Sequence, residues 1–324
     1  MSPLFPLVPS GCACNWVSGD TNNLADVFVY TRTPVSAIRA SVSETGTQGT
    51  GASWAPALAG AADVVAFVSN ADDLAAGDVS DFDDIFVRDF AANSTTRVTR
   101  EDGTELNGNS RQPSISDDGN LVAFVTEATN VETAGTTSGL GKVVVWDRRD
   151  GTLSTVSVNN SGDAADRSSA FPRISGNGRY VVFISSATNL GPDSNGLLDV
   201  YRRDLQTGVT ECASMGRDGF AATAFRSSAD ISGDGRFIVF GSISGALVDN
   251  DYNGVGDVFL RDMQMANTMV VSVTPNLRVA NDLSRPRAIA PDGTAIAFIS
   301  DATDVVAGDN NGFADVFVVN DLSW

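Results

Sequence analysis

The chain has 324 residues, with 40 Asp and Glu against 21 Lys and Arg, a formal net charge of −19, and no histidine. Without imidazole, Ser-His-Asp and Cys-His nucleophiles, His-ligated zinc and a histidine base are excluded, and so acidic a surface repels nucleic-acid phosphates. Hydrophobic residues make up 42% and charged residues 19%, which suits a large buried core rather than a disordered acidic tail.

The first 18 residues are proline-rich and unlike the rest. Met1-Ser-Pro-Leu-Phe-Pro-Leu-Val-Pro has neither a basic start nor an uninterrupted apolar run, so it does not read as a signal peptide. No stretch approaches the about 18 apolar residues of a membrane helix, and no membrane insertion is expected. Cys12, Cys14 and Cys212 are an odd set with no metal spacing. They read as small buried side chains, or as a bond from Cys212 to Cys12 or Cys14 in an oxidising compartment, and the sequence leaves both open.

From Gly19 onward the chain repeats. One position recurs as Asp26, Asp84, Lys142, Asp199, Asp257 and Asp315, at intervals of 57 or 58 residues. Each unit predicts four strands and no helix. The first ends in a tight turn, as in Ser114-Ile-Ser-Asp-Asp-Gly, Arg173-Ile-Ser-Gly-Asn-Gly, Asp230-Ile-Ser-Gly-Asp-Gly and Ala288-Ile-Ala-Pro-Asp-Gly. Asn-Gly and Asp-Gly provide the positive φ that short hairpins need. The second is Leu121–Phe124 and its equivalents, Tyr180–Phe183, Phe237–Phe240 and Ala295–Phe298. After a loop of about a dozen residues the third strand begins at the recurring Asp, and a β-branched fourth follows, as at Leu153–Val158 and Thr268–Val273. In the first unit Leu4–Val8 falls at the second-strand position, Asp26–Tyr30 at the third and Ser36–Ser43 at the fourth; the last unit has only three strands before Trp324.

Six such units predict an all-β, six-bladed β-propeller of four-stranded antiparallel blades, the first and last incomplete. The expected organisation is an N-terminal segment, 1–18, that closes its own ring or is donated to a neighbour, and a propeller domain, 19–324. The Ile-Ser-x-Asp-Gly-x-x-Val-x-Phe turn and the Asp-Val-Phe-x-x-Asp strand resemble the WD40-like (PD40) repeat of TolB-type propellers, a likeness that implies the fold and says little of function.

The loop before each third strand carries D-x-[NS]-x-x-x-D: Asp20, Asn22 and Asp26; Asp78, Ser80 and Asp84; Asp193, Asn195 and Asp199; Asp251, Asn253 and Asp257; Asp309, Asn311 and Asp315. Alternate oxygen-bearing side chains in a tight loop suit calcium, which takes six to eight oxygens. Asx side chains also simply cap turns, but five copies in register favour up to five Ca²⁺ sites. The third unit has Thr136, Ser138 and Lys142 at these places, so the single lysine of the chain stands where a ligand would. Asp73, Asn130, Asn189 and Asp304 recur upstream and suggest a turn role. Arg88, Arg148, Arg202 and Arg261 lie near the ends of third strands, beside aspartates such as Asp89, Asp204 and Asp262, and suggest ion pairs. Trp54, Phe171, Phe220 and Phe225 fall in or near the variable connections that a propeller places on the same face as these loops, where a glycan or protein ligand would bind or a ring would plug the centre.

The functional expectation is a non-enzymatic, extracellular, periplasmic or cell-surface module, calcium-stabilised, structural or binding, and able to form homo-oligomers or filaments by donating its N-terminal strand. Two other readings remain. One is a glycoside hydrolase or polysaccharide lyase using an Asp/Glu pair, for which Glu101, Glu132 and Glu211 depart from the repeat; the other is the propeller part of a peptidase.

Overall fold

The computed structural model describes residues 4–7, 19–32, 34–60, 63–131, 140–191, 196–217, 219, 222 and 224–320. No helix occurs among them; the strands form six antiparallel sheets. Sheet 1 is β1 (Leu4–Leu7), β2 (Phe28–Arg32) and β3 (Val35–Arg39). Sheet 2 is β4 (Ser53–Leu58), β5 (Val64–Ser69), β6 (Asp84–Asp89) and β7 (Ser94–Arg97). Sheet 3 is β8 (Ser110–Ile115), β9 (Leu121–Thr126), β10 (Lys142–Asp147) and β11 (Leu153–Thr155). These lie in one compact unit, residues 1–155. The second unit, 156–324, holds sheet 4, of β12 (Ser169–Ile174), β13 (Tyr180–Ser185), β14 (Asp199–Asp204) and β15 (Val209–Cys212). It also holds sheet 5, of β16 (Ala224–Ile231), β17 (Phe237–Ser242), β18 (Asp257–Asp262) and β19 (Asn267–Val270), and sheet 6, of β20 (Ser284–Ile289), β21 (Ala295–Ser300) and β22 (Asp315–Asn320).

The second strands of sheets 2 and 5 are buried along nearly their whole length, as Val64–Ser69 shows, because a sheet of the same unit packs on either side. Such strands read as continuous apolar runs rather than alternating ones. In the first unit, one core joins Val27 and Val29 to Val65, Phe67 and Phe86, and another joins Val68, Ile85 and Val87 to Val122, Phe124 and Val144. In the second, Val182 and Val200 pack with Ile238 and Phe240, and Val258 and Leu260 with Ile289, Ile296 and Phe298. The repeated aromatics are cross-strand partners: Phe67 stacks on Phe86, Phe183 on Tyr201, Phe240 on Phe259 and Phe298 on Phe317, with centroids 5.4–5.9 Å apart.

The first strand carries a bulge beside its proline. Register shifts at Trp54/Ala57, Arg111/Ser114 and Ala170/Arg173 bracket Pro56, Pro113 and Pro172, on a strand at the sheet edge, where a missing N–H costs no ladder bond. The tight turn explains its glycine most directly at Gly235. There φ is +79°, and a Cβ would stand 2.1 Å from the Tyr180 ring, so the aromatic that opens one second strand lies flat on the next unit's turn. Phe237 covers Gly293 in the same way.

The N-terminal strand pairs with β2, Leu4 opposite Thr31, at the second-strand place that the repeat assigns it. Two expectations shift. Fourth strands are shorter than the β-branched runs, ending at Arg39, Thr155 and Val270, because the chain then turns back into bridges such as Val42–Gln48, Val158–Ala164 and Val273–Val279. The first unit's third strand starts at Phe28 rather than Asp26.

Candidate functional site

The loops before the third strands differ from sheet to sheet. In sheet 2, Asp78, Asp84 and Glu105 bring one carboxylate oxygen each within 4.8 Å of the others. Arg97, on β7, sits among them, with Nη1 2.7 Å from Asp78, 3.3 Å from Glu105 and 3.5 Å from Asp84, while its Nη2 donates to the Gly77 carbonyl at 2.7 Å. The Ser80 hydroxyl bonds to Glu105. Burial pushes Asp84 up to about 7 against the pull of Arg97, and burial also raises Asp78. Glu105 comes from the connection to the next sheet, at a repeat place that holds Gln48 in the first copy but Ala164 and Val279 in others.

In sheet 1, Arg39 on β3 stands 3.1 Å from Asp26. Gln48 bridges the pair, its Nε2 donating to Asp20 at 3.0 Å and to Asp26 at 2.9 Å. The Ser41 hydroxyl donates to Asp26 at 2.7 Å. Burial raises Asp26, while the Gln48 hydrogen bond lowers Asp20.

Sheet 5 keeps two carboxylates without such a partner. Asp251 and Asp257 are buried, and no Arg or Lys pairs with either among the described residues. Asp257 accepts from Ser272 Oγ at 2.7 Å and from Asn253 Nδ2 at 2.9 Å. Asn253 Nδ2 also donates to the Ala280 carbonyl at 2.9 Å. Burial pushes Asp257 up to about 6 and raises Asp251 as well. In sheet 6, Asn311 donates to Asp315 at 3.0 Å and the loop is exposed. In sheet 4, Asp199 accepts from Ser214 at 3.3 Å; Asp193 and Asn195, like Thr136 and Ser138 of the third unit, lie outside the described residues. Lys142 is buried in sheet 3 and donates to the Ala128 carbonyl at 2.9 Å.

The central amides also close Asx turns: Asn22, Asn253 and Asn311 each accept, through Oδ1, from the N–H two residues on. The Asp that opens the third strand has a second duty. In sheets 1, 4 and 5 the serine 15 residues on donates to its carboxylate and accepts the following N–H, as Ser272 does from Val258 at 3.1 Å. That serine recurs with the repeat and was a signal in plain view.

The other recurring polar residues are structural. Asn130 accepts from Asn107 N–H and donates to the Glu105 carbonyl, while Asn107 accepts from Thr129 N–H. Asn189 with Asp166, and Asp304 with Asn281, repeat this clasp, and Asp73 accepts from Thr50. These residues tie the loop after the second strand to the connection entering the first, a longer reach than a turn role. The arginine expectation needs correction. Arg148 does pair with Asp89 at 2.9 Å, but Asp204 and Asp262 pair with Arg179 and Arg236. The latter two come from the tight turns, which lie beside the ends of the third strands. Arg88 and Arg261 donate to Thr95 and Thr268, and Arg202 pairs with Glu211. Trp54 and Phe171 pack against the cores of their units; Phe220, the Phe225 side chain, Glu132, Cys12 and Cys14 lie outside what is described. Cys212 is buried, with Sγ 3.6 Å from Ser214 Oγ.

No protein-family model matches the chain, and no curated protein matches it by sequence. Solved structures do. The β-propeller domain of the Trilobed protease from Pyrococcus furiosus matches with a TM-score of 0.51 and 11% identity, over 83% of this chain and 69% of that one. TolB from Acinetobacter baumannii matches with a TM-score of 0.49 and 14% identity over 98% of this chain, which spans 64% of that protein. The fold is a β-propeller's. A prolyl endopeptidase is matched over 84% of this chain but only 37% of its own, with a TM-score of 0.46 and 12% identity. At such identities the likeness to these propellers speaks of fold and not of activity. No helix among the described residues is long and apolar enough to cross a membrane.

Proposed function

We propose that the chain is a six-bladed, non-enzymatic propeller that works outside the cytoplasm as a structural or binding module stabilised by calcium. The observation that carries this reading is the buried pair Asp251 and Asp257, which has no cationic side chain beside it among the described residues. Two buried carboxylates at the ends of one loop repel each other and lose hydration; a hard divalent cation relieves both, and extracellular calcium is abundant enough for weak loop sites. Asp309 and Asp315 offer the same pair at an exposed loop. A sugar-cleaving enzyme needs a carboxylic acid facing a second carboxylate across an open cleft, whereas Asp78, Asp84 and Glu105 are gathered around Arg97.

Self-assembly belongs to the same proposal: β1 exchanged between copies would make the same pairs with β2, and the outer edge of β22 has no strand partner among the described residues.

Calorimetric melts in calcium and in chelator test the first part. A calcium-loaded protein should melt several degrees higher, through preferential binding to the folded state; superimposable melts remove calcium from the proposal. Size-exclusion chromatography with light scattering tests the second. Polymers that disappear on deleting residues 1–18 support strand exchange, and a monomer at all concentrations removes it.

A further inference from the structure

We infer that Arg39 and Arg97 are built-in counter-ions and that Lys142 is a built-in cation, each standing where the remaining loops take a cation from solution. The second half of this inference rests on the calcium reading above; the first half does not.

Strand register makes the comparison strict. Arg39 lies opposite Phe28 and Arg97 opposite Phe86. The same place, opposite the third-strand residue two after the recurring position, holds Thr155 in sheet 3, Cys212 in sheet 4 and Val270 in sheet 5. Both arginines use the place alike. Each pairs with the third-strand Asp and donates to the carbonyl of the glycine just before the loop's first Asp, Gly19 at 3.4 Å and Gly77 at 2.7 Å. The guanidinium thus meets carboxylate and carbonyl oxygens from one loop, the donor set a hard cation would use. Sheet 3 solves the same problem from the other strand: both acidic positions are gone, and a buried ammonium donates to a carbonyl instead. Sheet 5 has neither device, yet keeps Asp251 and Asp257 buried.

Cation and acid therefore change together. Where the fourth strand supplies an arginine, both aspartates stay; where the third supplies a lysine, both are lost; where the chain supplies nothing, a neutral Val270 leaves the place open. Among the described loops the external demand falls on the buried pair of sheet 5 and the exposed pair of sheet 6, not on all five loops of this type.

A variant set read in chelator and in calcium tests this. In chelator, Arg97→Gln should lower Tm by at least about 3 °C, and adding Asp84→Asn should recover more than half of the loss, because the removed charge no longer lacks its partner. Val270→Arg, or Val270→Lys if the bulkier side chain prevents folding, should raise Tm in chelator. A double variant less stable than Arg97→Gln alone overturns the counter-ion role, whatever calcium does. In equilibrium dialysis with radiocalcium, Arg97→Gln should bind one more ion per chain than the parent, and Val270→Arg one fewer. A parent that binds calcium with a stoichiometry unmoved by either change overturns the division between sheets. A parent that binds none overturns the calcium reading, and the chelator cycle still decides the counter-ion role.

Discussion

The loops of sheet 2 and sheet 5 have nearly the same sequence pattern and opposite electrostatics. Asp78 and Asp84 close around an arginine that the neighbouring strand delivers, whereas Asp257 has an amide and a hydroxyl and Asp251 the Asn253 N–H, with no cationic side chain among the described residues. Hydrogen bonds from neutral donors soften the burial of a carboxylate but leave its charge uncompensated. A loop motif therefore does not by itself state whether a site is vacant. The residue that decides lies 13 positions after the second Asp, on another strand.

The largest effect should come from forcing sheet 3 into the sheet 5 condition. Lys142→Asp restores the acidic residue at a buried position where the facing strand has Thr155 and no arginine. The lost bond to Ala128 and the uncompensated charge should together cost about 3–5 kcal/mol in denaturant unfolding at neutral pH. Lys142→Met keeps the stem and should cost only about 1–2 kcal/mol. If both variants cost the same, the charge is not what the third sheet manages.

A smaller change separates the two duties of the third-strand aspartate. Ser272→Ala removes the donor to Asp257 and leaves the Val258 N–H without its acceptor, a loss of about 1–2 kcal/mol. On the calcium proposal, the serine loss should fall mainly on folding, with calcium affinity at sheet 5 weakened little, because the Asp257 carboxylate still has its oxygens. Isothermal titration alongside urea melts distinguishes the two; a large drop in calcium affinity with unchanged stability reverses the assignment.

Much of this was legible in the chain. Tight turns, second-strand apolar runs and the Asp-Val-Phe strands repeat because every sheet buries the same faces against its neighbours, so periodic sequence maps onto periodic structure. The loop aspartates were legible for the same reason, as was the exception at Lys142. Arg39 and Arg97 were not, because their role depends on which residue stands opposite Phe28 and Phe86, and only two sheets carry an arginine there. Gln48 and Glu105 share one place in the repeat, five residues before the first strand, but the same place holds Ala164 and Val279 in other copies, so no polar pattern marks it. The pairing of Asp204 with Arg179 was missed for a related reason. Its sequence neighbours Arg202 and Arg203 are closer on paper, but strand alternation points Arg203 to the opposite face, Arg202 is taken by Glu211 on the facing strand, and the turn brings Arg179 to the strand end.

That last pair supplies the mildest test, one that reports on charge at the sheet periphery instead of inside the loops. The Arg179 guanidinium holds Asp204 well below the usual carboxylate range, helped by N–H donors from Gln206 and Thr207, and Arg236 acts likewise on Asp262. A depressed carboxylate stabilises the fold above its unfolded value near 3.8, and the contribution is lost as pH falls through the lower folded value. Arg179 is partly exposed, so solvent screening keeps the pair weak. Arg179→Met should therefore lower stability slightly at pH 7 and by progressively less as the pH drops below 4. Equal losses at pH 7 and pH 2.5 would assign the effect to the arginine stem packed on the Tyr180 ring, 4.9 Å from the guanidinium carbon, and would separate surface packing from the ion pair.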